Sequence, residues 1–314
     1  MKPVLHAIGE LRGVRGPVVL AVGVFDGVHL GHQAVIRRAQ DLARACGGTA
    51  VVLTFDPHPG RVLRPDGGPR LLTTTDQKLE LIFGMGVDAV LLLGFDLELA
   101  AREAGDFVRE LAGACSPLGG ICVGSNWSFG RGRGGNFELL KGLGKELGFE
   151  AVGVEAVESV DAAGVISSTA IRASVEAGRM EEAEGLLGRP YAVRAEVVRG
   201  QELGRRLGFP TANLAVRNDA LLRDGVYAVR VLVDGRAWDA VLNYGLRPTV
   251  AAGVPERVME AHLLGFAGDL YGREVEVAFH RWLRAEQRFD GVESLKAQIA
   301  RDCAEAARVL GSGV

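Results

Sequence analysis

Two histidines lie three positions apart in the segment GVFDGVHLGH, residues 23–32, directly after an apolar run. An amphipathic pattern follows them, which predicts a strand-to-helix turn where free backbone N–H groups and the helix dipole favour an anion. Gly31 permits close backbone approach, and the imidazoles of His29 and His32 can donate hydrogen bonds to phosphate oxygens. Two exposed loop histidines are the alternative. The position after the first predicted strand favours a phosphate site.

Hydroxyl groups and an arginine open a later predicted helix. Ser167, Ser168 and Thr169 lie shortly before Arg172 in the segment ISSTAIR. Hydroxyls and a guanidinium fork suit phosphate oxygens. A helix N-cap followed by a solvated arginine is the alternative explanation of the same residues.

The segment GRRLGFPTANL predicts a second phosphate site. Thr211 and Asn213 are two residues apart, so in an extended segment their side chains point to the same side. Their oxygens suit Mg²⁺ bound to a nucleotide, because this ion keeps waters and substrate oxygens and takes only one or two protein ligands. The glycines at 204 and 208 can shape a phosphate loop. A polar turn after proline is the alternative.

The first half of the chain alternates short apolar runs with amphipathic segments. The predicted strands are 17–25, 49–55, 87–95, 119–124 and 150–157, and the predicted helices are 31–45, 76–85, 102–114 and 136–147. This alternation predicts an α/β doubly wound parallel sheet, Rossmann-like, whose ligands bind at the carboxyl ends of the strands.

After about residue 190 the apolar residues recur with period two. The predicted strands are 191–198, 225–233, 237–243, 257–266 and 273–283, which predict a small antiparallel sheet or barrel. A last helix over 292–310 is expected to pack on it through Leu295, Ile299, Cys303 and Ala306. A helical stretch at 171–188 precedes this half, so we predict domains at 1–186 and 187–314.

The composition favours small-molecule chemistry. The net charge of −3 over 314 residues argues against a nucleic-acid-coating protein. The four cysteines, Cys46, Cys115, Cys122 and Cys303, form no CxxC pair, so neither a zinc site nor a disulfide framework is predicted. The sequence shows no signal-peptide pattern and no apolar run of about 18 residues, which predicts a cytoplasmic protein without membrane partners.

The motifs resemble one family along nearly the whole chain. GVFDGVHLGH resembles the HxGH signature of nucleotidyltransferases and, in its longer form, the adenylyltransferase half of the bacterial bifunctional riboflavin kinase/FAD synthetases. The further blocks in the family's order are TFDPHPGRVL, VGSNWSFGRGRGG, ISSTAIRASVEAGRMEEAEGLLGRPY, GQELGRRLGFPTANL, VLNYGLRPTV, MEAHLLGFAGDLYG and LRAEQRFDGVESLKAQI. The resemblance implies that MgATP phosphorylates riboflavin to FMN in the second domain and that AMP passes from ATP to FMN in the first, with release of pyrophosphate.

The resemblance also implies roles for residues. Glu260 would take the proton from the primary alcohol of riboflavin, while His29 and His32 would orient and neutralise the phosphates without a protein nucleophile. It further implies ATP contacts for Gly23, Phe25, Gly31, Ser167, Ser168, Thr169, Arg172, Gly204, Arg205 and Gly208, flavin contacts for Asp56, Pro57, His58, Asn126, Arg131, Arg288 and Phe289, and Mg²⁺ ligation by Thr211 and Asn213. Taken alone, Glu260 is typical of an exposed strand residue and His58 of a turn.

Three other functions are alternatives. The GxGxxG match at 130–135 suggests a dinucleotide dehydrogenase, but it follows a late strand instead of the first. A nucleotidyltransferase for another phosphate ester is disfavoured by PTAN with Glu260, and a flavin-binding regulator by the presence of both catalytic motifs. Trp127, Tyr244 and Gly265 depart from the family's usual residues, and for the last two we expect altered packing near the flavin mouth.

Overall fold

The structure is a computed structural model that describes residues 2–64, 66–159, 164–200, 204, 208–219, 222–247 and 256–311. The chain forms two compact units. Unit 1 comprises Met1–Pro69 and Thr73–Ser167, and unit 2 comprises Arg70–Leu72 and Ser168–Val314. Within the described ranges, no helix combines the length and the apolar character needed to cross a membrane.

Unit 1 contains a six-stranded parallel sheet in the order β1-β4-β3-β2-β5-β6. Its strands are β1 (Val4–Leu5), β2 (Val18–Val22), β3 (Thr49–Asp56), β4 (Ala89–Gly94), β5 (Leu118–Gly124) and β6 (Glu150–Val154). Every residue of β2 is buried, because both faces of the sheet are covered. This burial explains why the apolar run of β2 shows no alternation with polar residues. The strand order changes direction between β2 and β5, which is where sheets of this kind bind ligands.

Helices cover both faces of the sheet and confirm the doubly wound prediction. They are α1 (Leu30–Ala45), α2 (Pro59–Leu63), α3 (Thr75–Gly84), α4 (Leu97–Ala100), α5 (Ala104–Ala114) and α6 (Phe137–Leu147). Ile36 and Ile82 belong to the core on one face, and Leu111 and Leu140 to the core on the other. The short elements β1, α2 and α4 are not predicted by the sequence pattern, because so few residues show no hydrophobic period.

Unit 2 contains a closed antiparallel barrel in the strand order β10-β11-β8-β7-β12-β9. Its strands are β7 (Tyr191–Val198), β8 (Ala212–Val216), β9 (Gly225–Val233), β10 (Arg236–Arg247), β11 (Glu256–Leu263) and β12 (Glu274–Arg284), and its helices are α7 (Ser168–Glu176), α8 (Met180–Leu187) and α9 (Val292–Leu310). The antiparallel barrel and its C-terminal helix are confirmed. Strand β8 is predicted only as an extended segment, because its five residues are too few to show alternation.

Helix α9 begins and ends at the predicted residues, but its predicted packing face is only partly correct. Ala306 is buried in the barrel core and Cys303 packs against that core. Leu295 and Ile299 are half-buried and line a cavity instead. The periodicity identifies an apolar face, and it does not distinguish a packed face from a cavity wall.

The predicted domain boundary falls at the end of α8. The division between the two units comes earlier, before α7, because α8 packs against β12 and β7. Its buried face consists of Met180, Ala183, Leu186 and Leu187. An amphipathic helix between two domains does not show in its own sequence which sheet it covers.

Candidate active sites

The loop between β2 and α1 has an unusual backbone. Phe25, Gly27 and Val28 have φ angles of 55°, 80° and 42°, a region that costs energy for bulky and β-branched residues. Side chains hold this conformation: Thr73 Oγ1 accepts from the Gly27 N–H (3.2 Å), and Gln33 Nε2 donates to the Val28 carbonyl (3.0 Å). The position at which α1 begins is therefore fixed by a strained loop that neighbouring side chains stabilise.

His29 and His32 meet at the first turn of α1. His29 is the N-cap, and its Nδ1 accepts from the His32 backbone N–H at 3.2 Å. The two rings stack with centroids 3.5 Å apart, and the Phe25 ring meets His32 edge-on at 5.2 Å. A Cβ on Gly31 would lie 3.2 Å from the His29 ring, which explains the glycine between the histidines. Because Nδ1 of His29 accepts, neutral His29 carries its proton on Nε2 and can donate there.

Burial keeps His32 neutral. Its Nδ1 is buried and has no hydrogen-bond partner among the described residues. Burial, with smaller contributions from His29 and Lys78, lowers the pKa of His32 well below its ordinary value of 6.5. A neutral imidazole with an unsatisfied ring nitrogen fits a role in contacting a polar ligand.

Lys78 is a buried cation beside this site that sequence reasoning missed. Its Nζ donates to the Phe55 carbonyl at the end of β3 (2.8 Å). Burial lowers the pKa of the ammonium group, while Asp56 and Asp26 raise it. The available signal was its position four residues before buried Ile82, which places both on the same face of α3.

A cavity of about 320 Å³, here the HxGH cavity, lies at the carboxyl ends of β2, β5 and β6. Both histidines line it, together with the predicted residues Gly23, Phe25, Gly31 and Asn126. Trp127 and Glu155 also line it and were not predicted as site residues. The Trp127 ring stacks on Phe129 with centroids 4.1 Å apart, so the departure from the family at this position is accommodated by a second aromatic ring.

The structure does not place the predicted DPH residues in the wall of the HxGH cavity. Asp56 ends β3, the bond to Pro57 is a cis peptide, and His58 caps α2 by accepting from the Gly60 N–H at 2.9 Å. The turn that is the alternative explanation of His58 is therefore present.

The arginine-glycine loop is also anchored within unit 1. Arg131 forms an ion pair with Glu103, and Arg133 Nε donates to Ser128 Oγ at 2.8 Å. Both arginines therefore have partners within this unit, and the flavin contact implied for Arg131 stays a prediction.

The ISSTAIR motif spans the division between the units. Ser167 ends unit 1, whereas Ser168 and Thr169 begin α7 in unit 2. Arg172 follows one turn later, and its Nε donates to the Arg70 carbonyl at 2.6 Å. The predicted contacts of these residues with triphosphate stay predictions.

In unit 2, Glu260, Thr211 and Asn213 line a cavity of about 330 Å³, here the Glu260 cavity. Glu260 on β11 is the direct cross-strand partner of Asn213 on β8, so their Cβ atoms are about 5 Å apart. Apolar residues complete the wall, among them Phe209, Val226, Val241, Phe289, Leu295 and Ile299. Three predicted residues from two distant motifs are thus brought together.

Local contacts hold the PTAN segment against β11. His262 Nδ1 lies 2.7 Å from the Pro210 carbonyl oxygen, which makes this nitrogen the donor. A Cβ on Gly204 would overlap the Phe209 carbonyl and lie 3.1 Å from Thr211 Oγ1. Gly208 has a φ of 88°, which a glycine adopts without strain. The predicted Arg205 lies outside the described residues.

A second cavity of about 520 Å³ shares a wall with the Glu260 cavity. Thr211 lines both. Tyr271, Phe266 and Arg199 line the second cavity, with the Arg199 guanidinium 5.4 Å from the centre of the Tyr271 ring. Thr211 therefore lies between an apolar cavity and a cavity with an aromatic and cationic side.

The segment after β12 contributes to the Glu260 cavity through residues that differ in part from the predicted pair Arg288 and Phe289. Phe289 lines the Glu260 cavity, but the exposed Arg288 is not among its lining residues. Glu286 lines the cavity and accepts from Asn243 Nδ2 at 3.1 Å, and neither was predicted as a site residue. Both lie in motifs that the sequence had already singled out, which was the available signal.

Tyr244 is not among the residues that line the Glu260 cavity, and the altered packing expected of it stays a prediction. Successive residues of a strand face opposite sides, so Tyr244 points away from the side on which Asn243 lines that cavity. The Arg257 guanidinium lies 5.4 Å from its ring centre. Gly265 has a φ of 68° in the turn after β11, where a side chain would be strained.

Unit 1 presents a histidine pair at the switch point of a doubly wound sheet, and unit 2 presents a carboxylate that faces a Thr–Asn pair in a small barrel. These two features define a two-domain enzyme that handles phosphate groups. The family model described as FAD synthetase matches residues 13–170, and the one described as riboflavin kinase matches residues 187–310. The chain belongs to the bifunctional riboflavin kinase/FMN adenylyltransferases. It phosphorylates riboflavin with ATP to FMN and adenylylates FMN with ATP to FAD.

Relatives of the same description cover nearly the whole chain. The Pseudomonas fluorescens enzyme is 40% identical over 98% of this chain and 97% of its own length, and the Bacillus subtilis enzyme is 34% identical over 97% and 96%. The enzyme of Escherichia coli K12 is 42% identical over 90% of each chain. A crystal structure titled as a macrolide-efflux protein from Streptococcus pneumoniae matches with a TM-score of 0.86 at 30% identity, over 97% of this chain and 98% of that one. The dehydrogenase alternative is wrong.

Proposed function

We propose that the Glu260 cavity is the riboflavin site of the kinase. Its apolar wall of Phe289, Leu295 and Ile299 suits the isoalloxazine ring, which is large and flat. The neighbouring cavity beyond Thr211 would take ATP, with Tyr271 and Arg199 at its side. The position of Thr211 in both walls is the observation that supports this division.

Glu260 would act as the general base of this reaction. Its carboxylate takes the proton from the primary hydroxyl of riboflavin while the hydroxyl oxygen attacks the γ-phosphorus of ATP and ADP leaves. Thr211 and Asn213 offer two oxygen ligands beside Glu260, a donor set that fits Mg²⁺. When bound, this ion would neutralise the charge on the phosphates. The protein residues orient the two substrates across the wall formed by Thr211.

The HxGH cavity would carry the adenylyl transfer. The FMN phosphate oxygen attacks the α-phosphorus of ATP, and pyrophosphate leaves with the electron pair of the broken P–O bond. His29 and the neutral His32 would donate hydrogen bonds to the phosphate oxygens near the N-terminus of α1. Ser168, Thr169 and Arg172 would hold the β- and γ-phosphates, as the resemblance implies.

The functional division would follow the predicted domains. The riboflavin kinase model begins at residue 187, which supports adenylyl transfer in 1–186 and kinase activity in 187–314. ATP, riboflavin and FMN as substrates support a cytoplasmic location.

A crossed pair of variants tests these assignments. Glu260→Gln should lower FMN formation from riboflavin by about 10³-fold or more, because the base is lost, and leave FAD formation from supplied FMN unchanged. His29→Ala should stop the reaction at FMN. Chromatography of the products from riboflavin, ATP and Mg²⁺ measures both steps. If Glu260→Gln lowered both steps equally, the division of labour would be wrong.

A further inference from the structure

The Glu260 cavity contains a second carboxylate with a defined position. Glu286 lines this cavity and accepts a hydrogen bond from Asn243 Nδ2 at 3.1 Å. Asn243 on β10 is the direct cross-strand partner of Glu260 on β11, and it lines the same cavity. The three side chains therefore follow one another along the cavity wall, from Glu260 through Asn243 to Glu286.

The sequence NYG makes room for this carboxylate. A Cβ on Gly245 would overlap the carboxylate carbon and both oxygens of Glu286. Gly245 and Asn243 are two residues apart on one strand and face the same side. The asparagine thus holds the Glu286 carboxylate and the glycine leaves space for it.

The nearby arginine does not neutralise Glu286. Arg284 also lines the cavity, but its guanidinium is bonded to the Asp302 carboxylate at 2.9 and 2.7 Å. Gln298 donates to the same aspartate at 2.8 Å. Glu286 therefore presents carboxylate oxygens to the cavity that suit a ligand with hydrogen-bond donors.

We propose that Glu286 accepts hydrogen bonds from the secondary hydroxyls of the ribityl chain and thereby selects flavins that carry this chain. The inference rests on the proposed role of Glu260. With the primary hydroxyl at Glu260, the ribityl chain runs past Asn243, whose Cβ lies about 5 Å from that of Glu260, and reaches Glu286. The ring then lies against Phe289, Leu295 and Ile299. Secondary hydroxyls are the donors at this point along the substrate.

The test uses the full-length enzyme and compares Glu286→Gln with wild type. The variant should raise KM for riboflavin about 10- to 100-fold, because a charge-assisted hydrogen bond is lost. The kcat of the kinase, KM for ATP and the adenylylation of supplied FMN should stay within about threefold of wild type. Glu286 is exposed, so the variant leaves the core intact. An unchanged KM for riboflavin would overturn the proposal.

Gly245→Ala provides an independent variant, because its methyl group would displace the Glu286 carboxylate. It should raise KM for riboflavin in the same way. Glu293→Gln is the matched control: Glu293 lies in the first turn of α9, pairs with Lys296 at 3.3 Å and does not line the cavity, so KM should be unchanged.

Lumiflavin distinguishes the chain from the ring, since it has a methyl group in place of the ribityl chain. Its inhibition constant against riboflavin should be the same for wild type and Glu286→Gln. If that constant rose as much as KM for riboflavin, the carboxylate would bind the ring and the proposal would be wrong. A loss of kcat with unchanged KM would assign Glu286 to proton transfer and would also overturn it. Retained kinase turnover in Glu260→Gln, in contrast, would refute the role of Glu260 and leave the KM result for Glu286 standing.

Discussion

The HxGH loop of unit 1 holds its histidines in a backbone with left-handed residues at Phe25, Gly27 and Val28, whereas the Glu260 cavity of unit 2 takes its polar groups from regular paired strands. The polar groups differ as well. The first site presents the stacked pair of imidazoles with one carboxylate, Glu155. The second presents several carboxylates with one imidazole, His262.

The difference follows from the two reactions. The nucleophile of adenylyl transfer is the phosphate of FMN, which is already ionised at neutral pH because the second pKa of a phosphate monoester is about 6. That step needs hydrogen-bond donors in fixed positions and no base. The nucleophile of the kinase is an alcohol, which must lose a proton, and this is the role that we propose for Glu260.

Among the variants that test how each site holds its polar groups, the largest expected effect comes from replacing the glycine between the histidines. Gly31→Val should lower the rate of adenylyl transfer by about 100-fold. Even the Cβ would lie 3.2 Å from the His29 ring, so the larger side chain should displace this ring, and a displacement of about 1 Å lowers a rate by about that factor. Gly142→Val is the matched control, since Gly142 also lies in a helix and no atom lies within 4 Å of its Cβ position. Both FAD formation and FMN formation are measured. Wild-type adenylylation in Gly31→Val would show that ring position does not matter.

The sequence predicted the regular parts of both units well. Strands β7 and β9 and helix α9 have the predicted bounds, because alternation or helical period extends over their whole length. The HxGH motif was correctly expected at a strand-to-helix turn, and the structure places it in one cavity with Asn126. Glu260, Thr211 and Asn213 likewise line one cavity.

Other features depend on contacts between distant residues and could not be predicted from local pattern. The partner of Arg131 is Glu103, and the carboxylate of Glu286 depends on Asn243, which belongs to a different motif. Lys78 occupies a position on the apolar face of α3, so its charge argued against burial. In these cases the surroundings of a side chain depend on residues that are distant in the sequence, and the residue type alone does not show them.

An intermediate effect is expected from a glycine of the second site. A Cβ on Gly200 would overlap the side chain of Asn213, so Gly200→Ala should displace a predicted Mg²⁺ ligand. We expect KM for MgATP in the kinase reaction to rise about tenfold and adenylylation to stay unchanged. Gly291→Ala is the control in unit 2, because its backbone is extended with φ at 178°, no atom lies within 4 Å of its Cβ position and it does not line the Glu260 cavity. An unchanged dependence of the kinase on MgATP would remove Asn213 from the proposed metal site.

The smallest expected effect is a dependence of stability on pH that belongs to the first site. Burial lowers the pKa of His32 in the folded state, so between 6.5 and that lower pKa the unfolded chain binds more protons than the folded one. Stability from this histidine is therefore complete above pH 6.5 and is lost as the pH falls below it. His29 and Lys78 lower the pKa of His32 further. The carboxylates of Asp56 and Asp26 act on Lys78, whose pKa they raise.

Removing His32 should weaken this dependence. Between pH 7.5 and pH 5.5 the Tm of wild type should fall more than the Tm of His32→Asn. The difference between the two falls should be about 2–4 °C for each kcal/mol of unfolding free energy that the protonation of His32 removes. His280→Asn gives the comparison for unit 2, because burial also lowers the pKa of half-buried His280, with Arg230 acting in the same direction. Calorimetric scans that resolve the unfolding of the two units assign each change. If wild type and His32→Asn lost equal stability on acidification, His32 would not be held neutral by its burial. The proposal that a neutral imidazole of the HxGH cavity donates hydrogen bonds to phosphate would then lose its support.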